Sequence, residues 1–243
     1  QHLSIMFVGG PNTRTDFHLD ESPEFFWQLK GNMQLPIVER GKKQVVEIKE
    51  GEVFLLPSRI PHSPQRPEAG SLGLVIERAR VEGKEFDALR WYTDFDKCDE
   101  ILWEKYFYCD DLGRDLVPVV EEFKASEAFA TGRPTVGSVV ANPPLRQDCQ
   151  TSVPRPFSLK DWLQAHEQDL SKPDSRLSLF GDDHPEKGFT VVVIGAGTGE
   201  TKYDEFIEKN EAFLYVFRGG IEVSNNGIDP RVVKAGECFR GFE

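Results

Sequence analysis

A series of short β-rich segments opens the sequence, and this pattern restricts the fold more than any other feature. Between residues 3 and 80 the chain contains the runs LSIMFVG, EFFWQL, MQLPIVE, QVVEIK, EVFLLP and LGLVIER, separated by glycine, proline and charged residues. Runs of this length with closely spaced turn signals are typical of antiparallel sheets. The first part of the chain is therefore predicted to form a β-barrel or a β-sandwich.

The middle of the chain changes to helical spacing. In LVPVVEEF the apolar residues recur every three or four positions, which predicts a helix around residues 116–123. A second helix is predicted to start at Ser158, where S-x-x-D resembles a capping box, and to place on one face Leu159, Trp162, Leu163, His166 and Leu170. Strands then return as FTVVVIG, AFLYVFRGGIEV and RVVKAGECF.

Two segments of the first half recur near the end of the chain. FFWQLKG, which ends at Gly31, aligns with FLYVFRG, which ends at Gly219, and KEGEVF at 49–54 aligns with KAGECF at 234–239. Such internal similarity indicates two copies of one fold. The predicted organisation is a first barrel over residues 1–110, a partly helical linker over 111–183, and a second, truncated barrel over 184–243.

Charge and composition exclude several classes of protein. The 41 acidic and 29 basic residues give a formal charge of −12, which opposes binding to nucleic acid or to anionic lipid. No apolar run approaches the length of about 18 residues that a membrane helix needs, and the first ten residues lack the layout of a signal peptide. The four cysteines form no C-x-x-C pair, so we expect reduced thiols in a soluble, cytoplasmic protein.

Two histidines and a glutamate form the strongest candidate for a chemical site. His18, Glu24 and Gly31 follow the pattern H-x5-E-x6-G, and Gly51 begins the pattern G-x5-P-x4-H that ends at His62. If the strands that carry them are neighbours in a small barrel, the three ligating side chains converge. Two imidazoles and a carboxylate leave coordination positions open, the arrangement of non-haem iron(II) oxygenases. Zinc and manganese stay open as alternatives, as does the possibility that both histidines have only structural roles.

These patterns resemble the paired cupin motifs, with instructive departures. Asp20 replaces the second histidine of the first motif, and we predict that it is not a ligand. Arg59 replaces a glycine of the second motif, and Arg66 replaces its final asparagine. The resemblance implies a mainly β bicupin with two antiparallel, jelly-roll-like barrels.

Longer stretches resemble one family within the cupins, the 3-hydroxyanthranilate 3,4-dioxygenases of the kynurenine pathway, in their animal-type, single-chain form. They are GGPNTRTDFHLDESPEFFWQLKGNM, EGEVFLLPSRIPHSPQRP, GLVIER and WEKYFYCDDLG. The resemblance implies iron ligands, substrate-binding residues and catalytic residues. Its implied ligands of Fe(2+) are His18, Glu24 and His62; its implied substrate-binding residues are Arg14, Arg66, Glu77 and Glu24, of which Arg14 and Glu77 are also implied to be catalytic.

The implied reaction opens the ring of 3-hydroxyanthranilate with dioxygen between carbons 3 and 4. Its product is 2-amino-3-carboxymuconate semialdehyde, which leads to quinolinate and NAD. A guanidinium can bind the ring carboxylate through two parallel hydrogen bonds, which suits Arg14 and Arg66. The resemblance also implies a monomer whose partners are the substrate and dioxygen.

The second copy is predicted to bind no metal. Alignment of the repeats places Phe206 where His18 stands and Ala212 where Glu24 stands, while the counterpart of His62 would lie beyond the last residue. Two other functions stay open for the first copy. It could be another metal-dependent cupin, such as a thiol dioxygenase or a sugar isomerase, or a cupin that binds a ligand without catalysis.

Overall fold

The computed structural model of the protein describes residues 3–195, 212–225 and 228–241, in which antiparallel strands predominate. The mainly β fold class predicted from the short runs is therefore confirmed. The strands are β1 Leu3–Gly9, β2 Phe17–Asp20, β3 Glu24–Lys30, β4 Met33–Glu39, β5 Lys42–Ile48, β6 Glu52–Leu56, β7 Leu72–Arg78, β8 Asp87–Tyr92, β9 Ile101–Phe107, β10 Phe157–Ser158, β11 Arg176–Ser178, β12 Val192–Ile194, β13 Ala212–Tyr215, β14 Gly220–Asn225, β15 Ile228–Lys234 and β16 Cys238–Gly241. The helices are α1 Leu112–Ala125, α2 Glu127–Thr131, α3 Leu159–Ala165 and α4 Glu167–Leu170.

The described residues form two compact units. The larger unit contains Ser4–Gln164 and Phe180–Thr190; of the described residues, the smaller contains residue 3 and residues 165–179, 191–195, 212–225 and 228–241. In the smaller unit β11 pairs with β12, β13 with β16, and β14 with β15, all antiparallel. Ala212 begins β13, whereas Phe206 lies outside the described residues. The division into a barrel, a linker and a second barrel stays a prediction.

Two sheets form the larger unit. One has the strand order β1-β7-β3-β6-β10. In the other, β9-β8-β2 and β4-β5 are joined through residues 60–66, whose backbone bonds to both β2 and β4. His62 is central to this junction because its amide donates to His18 O at 2.9 Å while its own carbonyl accepts from His18 N at 2.7 Å. The segment that carries one candidate ligand is thus fixed directly beside the strand that carries another.

The core of this unit lies between the sheets. Apolar side chains from β3 to β7 fill it, since successive residues of a strand point to opposite faces and every second one can enter. Its buried members are Phe26, Met33, Leu35, Ile37, Val46, Ile48, Phe54, Leu56, Ile60, Val75 and Val153. On β3 the same alternation places Glu24 and Gln28 on the inner face together with Phe26. The polar site therefore lies at one end of a strand whose middle is packed in hydrocarbon.

Helices α1 and α2 cover the outer face of β8 and β9. Trp91 stacks on Phe123 with ring centroids 4.0 Å apart, and Trp103 lies edge-on to Trp91 at 5.5 Å. The predicted helix around residues 116–123 is confirmed as part of α1. The predicted helix from Ser158 begins there, and Ser158 Oγ accepts from Asp161 N at 3.2 Å. The helix is interrupted at His166 and continues as α4, and the five residues predicted to share a face are those of residues 159–170 that are not exposed.

Three turns carry the cupin-like motifs. Gly31 and Gly51 have φ of 65° and 83°, a region that a side chain disfavours, so both tight turns favour glycine. Arg59, which replaces the second glycine of the second motif, has φ of 61°. A side chain in this region costs about 1–2 kcal/mol. Backbone bonds hold the turn nevertheless, because Arg59 N donates to Asp20 O at 2.9 Å and Arg59 O accepts from Asp148 N at 2.8 Å.

Within the part of the chain that the structure describes, no helix has both the length and the apolar character needed to cross a bilayer.

Candidate metal centre

Four potential ligands meet in the interior of the larger unit. His18 and Asp20 lie on β2, Glu24 is the first residue of β3, and His62 lies in the 60–66 segment. One ligand atom from each lies within 4.8 Å of the other three, and all four residues are buried. The structure thus brings together the three predicted ligands and adds Asp20. The prediction that Asp20 is not a ligand stays a prediction.

Hydrogen bonds orient the two imidazole rings. His62 Nδ1 lies 2.9 Å from the Ile60 carbonyl oxygen, which can only accept, so this nitrogen carries a proton. His62 Nε2 then faces Glu24 Oε1 at 2.8 Å. His18 Nε2 lies 2.7 Å from the Asp87 carboxylate, which leaves its Nδ1 facing Glu24 at 3.6 Å. Each ring therefore turns one nitrogen toward Glu24 and binds an acceptor with the other.

The electrostatics of the site favour a bound cation. Burial lowers the pKa of His18, but hydrogen bonds to Asp87 and Glu24 outweigh this and raise it to about 10. Burial raises the pKa of Glu24, but the two histidines hold it well below its usual range. The site thus prefers positive charge, supplied by a proton or by a metal. Two imidazoles and one to two carboxylates are suitable ligands for a divalent transition metal, so the residues fit a metal centre.

Glu77 lies next to this group on the neighbouring strand. It is directly opposite Glu24 in the β3–β7 register, which places both carboxylates at the same end of the sheet. Burial, followed by the charge of Glu24, raises the pKa of Glu77 to about 7. Arg80 Nη1 donates to Glu77 Oε2, whereas Arg78 pairs with Glu85 instead. Glu77 is therefore a carboxyl group that can gain or lose a proton near neutral pH.

Arg66 is buried beside the same cluster without full hydrogen bonding. Its side chain is enclosed, and neither Nε nor Nη2 has a hydrogen-bond partner among the described residues. Burial lowers the pKa of Arg66, while the negative charge of Glu24 raises it. Gln28 Oε1 is also buried without a partner, and a Cβ at Gly73 would lie 2.8 Å from it and 3.1 Å from Arg66 Nη2. A buried guanidinium with unused donors is expected to bind an anion.

Arg14 occupies a different environment from Arg66. Its side chain is about a quarter exposed and its guanidinium is paired with Asp16. The backbone of Arg14 is held by Gln65, since Arg14 N donates to Gln65 Oε1 at 3.1 Å and Gln65 Nε2 donates to Arg14 O at 2.7 Å. The two arginines predicted for substrate binding therefore differ in the structure, because one is already neutralised and the other is not.

Sequence reasoning missed two buried charged residues of this region, Asp87 and Arg80. Asp87 begins β8 and binds His18 across a separation of 69 residues, and Arg80 lies just after β7. Neither belongs to a motif that the sequence displays. Asp87 stands at the start of the run DALRWY, where a charged residue is ordinary, so the sequence carried no signal for either residue.

The family model and the curated relatives agree on one family. The family model of 3-hydroxyanthranilic acid dioxygenase matches residues 1–124. The chain is 41% identical over 242 residues to 3-hydroxyanthranilate 3,4-dioxygenase of Homo sapiens, covering 98% of this chain and 82% of that protein. It is 46% identical over 246 residues to the enzyme of the same name from Bos taurus, covering 100% and 82%. Among solved structures, an oxalate decarboxylase variant from B. subtilis is similar at 14% identity with a TM-score of 0.45, covering 98% of this chain and 62% of that one.

Proposed function

The chain belongs to the 3-hydroxyanthranilic acid dioxygenase family, and from this premise we propose that it opens the ring of 3-hydroxyanthranilate with dioxygen at one iron(II) held by His18, Glu24 and His62. The product is 2-amino-3-carboxymuconate semialdehyde, which leads to quinolinate and NAD. The observation that carries the proposal is that two oriented imidazoles, of His18 and His62, and the carboxylate of Glu24 lie close together in the buried interior.

Iron is the metal that this ligand set favours. Two histidines and one carboxylate can occupy one face of an octahedral ion and leave positions open for other ligands. Bound iron(II) would supply Lewis acidity toward the substrate's hydroxyl group and a site for dioxygen. The surrounding burial keeps bulk water away from that open face.

Arg66 is proposed to bind the carboxylate of the substrate. Its two unused nitrogen donors lie in an enclosed site, where a charge-assisted pair is stronger than in water. The small volume at Gly73 leaves room next to these donors, because a side chain there would approach Arg66 Nη2 to 3.1 Å. Arg14 is proposed as a second contact to the substrate, made by a guanidinium that exchanges its pairing with Asp16.

Glu77 is proposed to move the proton of the substrate's hydroxyl group. A carboxyl with a pKa of about 7 accepts and returns a proton at neutral pH more readily than an ordinary glutamate. Arg80 donates to Oε2, and this bond fixes the orientation of the carboxyl group. The β3–β7 register places this carboxyl group opposite Glu24, one of the proposed metal ligands.

The protein is further proposed to act as a monomer in the cytoplasm, with the substrate and dioxygen as its partners. Its four cysteines are all free, two of them buried, which agrees with a reducing compartment.

Reconstitution with iron(II) tests the proposal. Wild type should bind one iron per chain and consume dioxygen when 3-hydroxyanthranilate is added, whereas His62→Ala should lose both properties. His184→Ala is a matched control, because His184 is also a buried histidine of the larger unit but lies outside the ligand group. Full iron binding by His62→Ala, or ring opening supported by zinc or manganese and not by iron, would contradict the proposal.

A further inference from the structure

A continuous chain of buried polar contacts leads from His18 to Glu77. His18 Nε2 lies 2.7 Å from Asp87 Oδ1, and this contact joins the neighbouring strands β2 and β8. Arg80 Nη2 donates to the same oxygen at 2.7 Å, and Arg80 Nε lies 3.1 Å from both oxygens of Asp87. Arg80 Nη1 reaches Glu77. The guanidinium of Arg80 thus connects Asp87, which contacts the proposed metal ligand His18, with Glu77, the proposed proton-transfer residue.

This chain fixes which ring nitrogen of His18 carries the proton. The side chain of Asp87 is fully buried, and an ionised carboxylate can only accept hydrogen bonds. His18 Nε2 must therefore be the donor, which leaves Nδ1, the nitrogen that faces Glu24, as the one that can give up its proton to bind a metal. The guanidinium of Arg80 also donates to Asp87, so the carboxylate cannot rotate away from His18 without losing three contacts to Arg80.

We propose that Asp87, held by Arg80, is the positioning residue that fixes the ring and the tautomer of His18 for metal binding. The proposal deepens the proposed function, on which it rests, by extending the site to two residues that touch neither metal nor substrate. An acceptor behind a ligating histidine orients the ring and raises its basicity. Without Asp87 the ring could protonate on Nδ1, and that nitrogen would then be unable to bind the metal.

A purely structural ion pair is the competing explanation, and the chain contains a close match for it. Arg90 and Glu104 lie opposite each other on β8 and β9, both buried, with Arg90 Nε 2.9 Å from Glu104 Oε2. Glu104 also accepts from Tyr106, so it resembles Asp87 in having several donors. It contacts no member of the ligand group. Glu104→Gln therefore removes a comparable buried charge without changing the support of His18.

The experiment compares Asp87→Asn with Glu104→Gln. Iron(II) affinity is measured anaerobically by competition with a chelator, and folding is measured by urea titration of the same samples. Asp87→Asn should weaken iron binding about 10- to 100-fold, the range found when such supporting partners are removed, and should alter the visible spectrum of the cobalt(II)-substituted protein. Glu104→Gln should keep the iron affinity within about twofold and the cobalt spectrum unchanged, although both variants lose stability.

Arg80→Lys provides a second test, because it keeps a positive charge beside Asp87 but removes the several N–H donors of the guanidinium. Its iron affinity should lie between those of wild type and Asp87→Asn, which makes the proposal testable even if Asp87→Asn does not fold. The proposal would be overturned if Asp87→Asn and Arg80→Lys both bound iron with wild-type affinity, or if Asp87→Asn and Glu104→Gln lost iron affinity equally. Either result would leave the proposed function intact. A wild type that binds no iron would overturn the proposed function as well.

Discussion

Removal of the Arg66 guanidinium should abolish the preference of the enzyme for a carboxylated ring. Arg66 is 2% exposed, and its Nε and Nη2 have no partner within the described residues. A guanidinium and a carboxylate about 4 Å apart attract by about 4 kcal/mol at an effective dielectric constant of about 20. Measured losses for breaking such buried pairs are similar, about 3–5 kcal/mol. Arg66→Ala should therefore lower kcat/KM for 3-hydroxyanthranilate by about 10²- to 10³-fold.

The assay compares 3-hydroxyanthranilate with 2-aminophenol, which keeps the hydroxyl and amino groups but has no carboxylate. Arg66→Ala should barely change the slow reaction of 2-aminophenol, and its iron content should equal that of wild type. Arg66→Lys should recover part of the loss, because an ammonium group cannot form two parallel hydrogen bonds. Arg14→Ala should cost less than Arg66→Ala, because Arg14 already has Asp16 as a partner. Equal losses for both compounds would refute the role given to Arg66.

Three further changes have specific expected outcomes. Gly73→Ala should raise KM for 3-hydroxyanthranilate about tenfold without loss of iron, because its methyl group would approach Arg66 Nη2 to 3.1 Å; an unchanged KM would contradict this. Asp20→Asn should retain most bound iron, whereas His18→Ala should not, and equal losses in metal analysis would make Asp20 a ligand. The pKa of His18 is about 10, above its ordinary 6.5, so protonation stabilises the iron-free fold fully below pH 6.5 and less as pH rises through 10. In urea titrations, the free energy of unfolding of the iron-free protein should therefore be lower at pH 10 than at pH 7. The iron-loaded protein should show a smaller decrease, because iron replaces the proton on His18. An iron-free protein whose free energy of unfolding does not fall would refute this.

The ligand residues could be predicted because their spacing reflects local structure. Gly31 and Gly51 mark turns at positive φ. Glu24 is separated from Gly31 by the length of β3, and His62 follows Gly51 after β6 and a short segment. The order of turns and strands therefore gave the positions of both residues. His18 proved to lie on its own short strand, β2, whose four residues, FHLD, alternate between apolar and polar although all four are buried. A run of four residues is the shortest that alternation can identify as a strand.

The residues behind the ligands could not be predicted, for a physical reason. The contact between His18 and Asp87 depends on the pairing of β2 with β8, and pairing between distant strands is not encoded in local sequence. The break between α3 and α4 at His166 was missed because a regular apolar spacing continued through it; no side-chain cap accounts for this break. Arg59 departs from the motif glycine yet keeps the left-handed backbone, which a residue type alone does not reveal.

Dioxygen uptake by the iron(II)-loaded protein with 3-hydroxyanthranilate tests the central claim most directly. Isotopically labelled dioxygen should be consumed in equal molar amount to the substrate, and mass spectrometry should find both labelled atoms in the ring-opened product. The same protein loaded with zinc, or carrying Glu24→Ala, should consume none. Uptake without ring opening, incorporation of a single labelled atom, or equal turnover without iron would contradict ring cleavage at the site formed by His18, Glu24 and His62.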